Sequence, residues 1–275
     1  METNELKEKA NQLRADVLKM VTNANSGHPG GALGMADTWT VLHYEFINDK
    51  PDNPEWEDRD RFILSNGHTC PLLYSVLADK GYFPKEELNH FRKLGALLQG
   101  HPSTAKGTPG VEFSSGSLGH GLSFSAGVAL SGRLNGQGYK TYCSISDAEC
   151  QEGQTWEAAA VAKDKELGNL CAVLDYNDSQ IDGKVSDIMD VAPVVEKWES
   201  FGWRVIEIDG HDYGQIINAF RTFQEESSRR GKPTVIVSNN ILGKGVSFME
   251  DDPAWHHGAL SSDQMEQALA ELGVE

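Results

Sequence analysis

After Gly138 the chain alternates short apolar runs with helical stretches, and this alternation restricts the fold more than any other feature of the sequence. The runs YKTYCSI, NLCAVLDY, WRVIEID and PTVIVSN are rich in Val, Ile and aromatic residues. Segments with a helical pattern separate them, roughly 154–167, 191–201 and 213–230. Strand–helix alternation of this kind predicts an α/β fold: a doubly wound, mostly parallel sheet with helices on both faces. In such sheets ligands collect beyond the carboxyl ends of the strands. Two of the runs end in polar groups, SISDAECQEG and LDYNDSQIDG. Asp147 and the Asp175-Tyr176-Asn177 group therefore meet at one crevice if consecutive strands pair.

The first half of the chain reads differently. Leu6, Ala10, Leu13, Val17 and Met20/Val21 recur at helical spacing, which predicts an amphipathic helix ending near Asn23. Gly-rich loops follow (SGHPGG, SNGHTC, QGHPS, SSGSLGHG) between helix-like stretches over 35–46 and 117–134. His28, His68 and His101 sit in the first three of these loops. The segment ILGKGVSFMEDDPAWHHG lacks periodicity and predicts a long functional loop over 240–260, with a short helix in the last fifteen residues. The expectation is a single domain over 1–275.

Composition narrows the function. A formal charge of −17 argues against nucleic acid as a partner, because phosphate contacts need clustered Lys and Arg. No apolar run approaches the eighteen or so residues of a membrane span, and the first 25 residues lack the apolar centre of a signal peptide. Cys70, Cys143, Cys150 and Cys171 show no CxxC spacing, so reduced thiols in a cytoplasmic protein are expected.

The chemistry is concentrated at the two strand ends. The Asp147 carboxylate, the Asn177 amide oxygen and the Ser179 carbonyl are hard oxygen donors suited to magnesium or calcium. Magnesium commonly completes its shell with substrate phosphates. A helix opening near Glu152 turns free N–H groups toward the same place, where a diphosphate can be held. Taken singly, Asp147 also reads as a helix cap and Asn177 as a turn residue. The loop histidines suit proton transfer near neutral pH, although a lone His is more often structural. Zinc fits them less well, since no pair has i, i+4 spacing and no Cys is near.

Ser146-Asp147-Ala148, twenty-seven residues over 149–175, then Tyr176-Asn177, resembles the thiamine diphosphate motif. The blocks ANSGHPGGALGMA, RDRFILSNGH, QGHP, PGVEFSSGSLGHGLS, CQEG, DYN..QIDG and the late HHG resemble, in order, the N-terminal half of the transketolase family, over about residues 10–260. The resemblance implies that Asp147, Asn177 and the Ser179 carbonyl hold the metal, with Gly116, Leu118, Ala148, Glu152, His68 and Ile181 around thiamine diphosphate. It implies His28, His68, His101 and His257 as catalytic histidines, with His256 the alternative to His257. It further implies ketol transfer between sugar phosphates and a separate C-terminal subunit carrying the pyrimidine-binding domain. A dimer or an α2β2 assembly, inactive without that subunit, is expected.

Two positions depart from the family pattern. Ala148 replaces a glycine, from which weaker cofactor affinity is expected, and His120 replaces a glutamine. Other thiamine diphosphate enzymes, of the 2-oxo acid dehydrogenase or deoxyxylulose-phosphate synthase type, are the nearest alternatives, but SGHPGG, SNGH and HHG favour transketolase. A non-catalytic subunit is the reading from another class. No strand is followed by GxGxxG, which disfavours a nicotinamide-binding fold.

Overall fold

Apolar residues three and four apart make the chain's first element, α1 (Thr3–Ala24), which buries Leu6, Leu13, Val17 and Val21. It stops at Asn25, whose φ of 49° is left-handed, a region that Asn tolerates better than most residues. Pro29 then opens the short α2 (Pro29–Gly34), where the fixed proline φ suits a first helical position. α3 (Ala36–Val41) runs into a π-helical turn over Leu42–Phe46. These elements are seen in a computed structural model that describes residues 1–228 and 230–274.

Five strands form one parallel sheet: β1 (Arg61–Leu64), β2 (Thr141–Ser146), β3 (Leu170–Tyr176), β6 (Arg204–Asp209) and β7 (Thr234–Asn239). Their order is β1-β2-β3-β7-β6. β4 (Ser179–Gln180) and β5 (Gly183–Lys184) form a small hairpin just beyond β3. Side chains alternate across the sheet, as a period of two requires. Tyr142, Val173 and Ile236 face a core with α1, α3, α4 (Cys70–Lys80), α9 (Tyr213–Glu226) and α10 (Ser262–Leu272). Cys143, Ile145, Leu174 and Val237 face a second core with α5 (His120–Leu134), α6 (Gly153–Asp164) and α8 (Val194–Ser200). Helices on both faces of a parallel sheet are the predicted architecture. Burial of a side chain such as Phe220 or Phe223, both fully inside, contributes about 1.5–3 kcal/mol.

The elements depart from the sequence reading in three places. β1 falls in a region read as loops, because its four residues sit beside charged Arg59, Asp60 and Arg61. α5 begins at His120 rather than near 117, since Gly119 precedes it with a left-handed φ of 81°. α9 ends at Glu226, short of residue 230, as Ser227 turns extended; Arg229, within the expected helix, and Glu275, within the expected domain, lie outside the described residues.

The 240–260 segment is a loop that is packed down. Leu242, Val246 and Met249 are buried in it, and a 3-10 turn covers Pro253–His256. It lies against α2 at Gly30, where a Cβ would stand 2.7 Å from the Trp255 carbonyl oxygen. Only glycine permits this approach, which carries the loop's two histidines over the strand ends.

Candidate active site

Parallel pairing of β2 with β3 aligns Ser146 with Asp175, so both strands leave the sheet together. The Asp147 N–H donates to the Asp175 carbonyl at 3.0 Å. Asp147, with no exposed surface, accepts N–H bonds from Ala148 at 2.7 Å, Asn177 at 3.1 Å and Asp178 at 2.7 Å. The Asn177 amide is fixed in turn: its nitrogen donates to Asp175 Oδ2 at 2.8 Å, while its oxygen accepts from the Ser179 N–H at 2.9 Å. The other Asp175 oxygen accepts from the Asn240 amide at 2.7 Å.

Every bond to the Asp147 carboxylate comes from a neutral N–H, and no cation compensates it. Burial raises its pKa to about 7, against the lowering effect of those N–H groups, and burial raises that of Asp175 to about 8. A divalent cation would restore the charge balance that the protein leaves open. Among the described residues no group of three or more His, Cys, Asp or Glu side chains is arranged to hold a metal ion. The donors here are of another kind, one carboxylate with amide and main-chain oxygens, and that set fits a hard cation.

A cavity of about 300 Å³ opens over these donors. His28, His68, His101, Gly116, Leu118, Ala148, Glu152, Asn177, Ser179 and Ile181 line it, joined by His256. His257 is exposed and does not line the cavity, yet its ring centre is 4.8 Å from that of His28. His256 lies 5.7 Å from His28 and 5.2 Å from His68 by the same measure. His120 is exposed at the start of α5, outside the cavity wall. The N-terminus of α6 points into the site with no side chain capping it at Glu152.

Burial, reinforced by neighbouring imidazoles, lowers the pKa of His28 to about 2 and that of His68 to about 3. Burial also lowers His101 and His256. The rings are neutral at physiological pH, and the buried Nδ1 atoms of His28 and His256 have no protein partner. Ser146 Oγ and Ser179 Oγ are also buried and unpartnered. Polar atoms of this kind, gathered around one cavity, await hydrogen bonds from a polar ligand.

Ala148 opens the 3-10 turn Ala148–Gln151, and its φ is outside the left-handed region. Backbone strain is therefore no reason for weaker cofactor binding, and what remains is a methyl group on the cavity wall. Glu149 was not legible as a site residue. It is fully buried and accepts from Ser65 Oγ, from the Gly119 N–H at 2.8 Å and from the Ser146 N–H at 2.9 Å, joining the ends of β1 and β2 to the loop before α5. In an acidic chain, a Glu two positions after an Asp looks solvated, and no spacing signals otherwise. Gln151 and Gln180, also on the cavity wall, were equally silent.

The relatives of this chain agree with that geometry. The family profile described as transketolase, thiamine diphosphate binding domain, matches residues 6–275. A 6-deoxy-6-sulfo-D-fructose transketolase subunit from Clostridium sp. (strain MSTE9) is 38% identical over 271 residues, covering 98% of this chain and 97% of that protein. One of the two subunits of an apulose-4-phosphate transketolase from Phocaeicola vulgatus is 36% identical, covering 99% of this chain and 94% of that protein. The crystal structure of transketolase from Campylobacter jejuni superposes with a TM-score of 0.93 at 34% identity. There the match takes in 100% of this chain but 44% of the other, so the chain spans less than half the length of that enzyme and nearly all of the two subunit relatives. By sequence and by fold, the chain belongs to the transketolase family, as its N-terminal, thiamine diphosphate-binding domain.

Proposed function

We propose that this chain is the cofactor-binding subunit of a two-chain transketolase that moves a two-carbon ketol unit from a ketose phosphate to an aldose phosphate. One observation carries the reading: the Asp147 and Asn177 strand ends lie side by side under a cavity lined by histidines from separate loops. Asp147, Asn177 and the Ser179 carbonyl hold magnesium or calcium. Gly116, Leu118, Ala148, Glu152, His68 and Ile181 seat thiamine diphosphate, with the α6 N-terminus toward its phosphates. When bound, the cofactor supplies the electron sink for the bond broken beside the ketose carbonyl.

The protein's part is orientation and proton transfer. His28, His101 and His257 face the sugar, with His256 and His68 completing the wall. Neutral imidazoles accept the hydroxyl proton released on cleavage and return one on transfer. The sugars named for the two subunit relatives each carry an anionic group, a sulfonate or a phosphate. With a net charge of −17, this chain leaves much of the positive charge for such a group to its partner. The partner is a C-terminal subunit with the pyrimidine-binding domain, and the assembly is a dimer or α2β2 in the cytoplasm. Near-complete coverage of two proteins named as subunits supports the division.

The test is reconstitution. The purified chain, mixed with a C-terminal transketolase subunit, magnesium and thiamine diphosphate, should transfer ketol units from xylulose 5-phosphate to an aldose within a panel. The chain alone should show none, and turnover without a partner would refute the division.

A further inference from the structure

Arg92 stands in the left-handed region with a φ of 61°, one of five non-glycine residues with positive φ among those described. That conformation costs an L-residue about 1 kcal/mol. Its N–H is held by the Leu98 carbonyl at 2.9 Å, and its side chain reaches back between two histidine loops. Nη1 donates to Ser26 Oγ at 2.8 Å, and Nη2 to the Gly100 carbonyl at 3.4 Å. Ser26 stands two residues before His28, and Gly100 one before His101. The guanidinium Nε is buried without a partner. A Cβ at Gly100 would fall 2.8 Å from that Nε, so the missing side chain is what lets the guanidinium lie against the loop.

We propose that Arg92 is a positioning residue of the cleft: it ties the His28 loop to the His101 loop and holds the two rings, 6.2 Å apart, at a working separation. The inference rests on the proposed function only in reading those rings as proton carriers. The guanidinium charge has a second consequence, since after burial it is the next cause keeping His101 deprotonated. The other titratable groups facing His101 are His28 and His68, while His28 also faces His256 and His257.

The test is NMR of the full chain labelled with 15N-histidine. In Arg92→Gln, contacts between the His28 and His101 rings should be lost and the His101 titration midpoint should rise by about half a pH unit or more. Gly100→Ala, which pushes the guanidinium away from the other side, should move both readouts in the same direction and decides the matter if Arg92→Gln does not fold. Parental ring contacts and an unmoved His101 midpoint in a folded variant would overturn the proposal. In the reconstituted pair, the acid limb of the kcat/KM profile should follow His101. Shifted titrations together with absent ketol transfer would instead sink the proposed function and leave the role of Arg92 standing.

Discussion

The two halves of the cavity are built on opposite terms. At the strand ends the acceptors are held by the protein's own donors: Asp147 by three N–H groups, Asn177 by Asp175 and the Ser179 N–H, Glu149 by two N–H groups and a hydroxyl. On the histidine side the rings come from loops, stand about 5–6 Å apart and include buried nitrogens that bond to nothing. Oxygen donors fixed before a ligand arrives lose little entropy in gripping a cation, whereas rings with free nitrogens can exchange protons with what lies between them. One half is made to hold and the other to react.

The largest expected effect breaks the holding half. Asp147→Ala removes the only carboxylate of the donor set, and calorimetric titration with magnesium and thiamine diphosphate should show no measurable binding. Binding near the parental constant would mean that the cation sits elsewhere. Next, Glu149→Ala strands two N–H groups and the Ser65 hydroxyl inside the core. It should lower unfolding stability by about 3 kcal/mol or more, read by urea titration. A cost below ~1 kcal/mol would show that the strand ends are not fixed by this residue.

The reacting half gives a pH signature. His68 has its folded pKa depressed to about 3, below an unfolded value near 6.5, so its stabilising contribution is complete above 6.5 and lost as pH falls toward 3. In that window each such imidazole contributes a slope of about 1.4 kcal/mol per pH unit. Because Asp147 and Asp175, with raised pKa values, act in the opposite direction, the test is the difference between the parent and His68→Asn at pH 7.5 and 5.5. The parent should lose about 1 kcal/mol more than the variant. Equal losses would mean that His68 charges freely in the folded protein. The smallest effect sharpens the contact between the halves: Ala148→Gly should change cofactor affinity less than about threefold, since no strain is relieved.

How far the sequence could be read follows the same division. The strand-end pair was legible because parallel neighbours bring successive strand ends together, and Asp147 and Asn177 needed only β2 to pair with β3. The alternation of apolar runs predicted the sheet and both helical faces. It could not tell that β7 inserts between β3 and β6, because a buried strand carries the same apolar run wherever it sits in the sheet. β1 was too short and too closely flanked by charge to stand out. Each histidine loop was visible, but its convergence with the others depends on main-chain approaches such as Gly30 to Trp255, which no local pattern encodes. Glu149 and Arg92 were silent for a related reason: their partners are backbone groups and hydroxyls on distant loops.

Anomalous diffraction from crystals grown with manganese and thiamine diphosphate would test the division of the cavity most directly. The account predicts one strong peak at bonding distance from Asp147, Asn177 Oδ1 and the Ser179 carbonyl, with the histidine nitrogens left free of metal. A peak among the imidazoles, or none at the ends of β2 and β3, would contradict it.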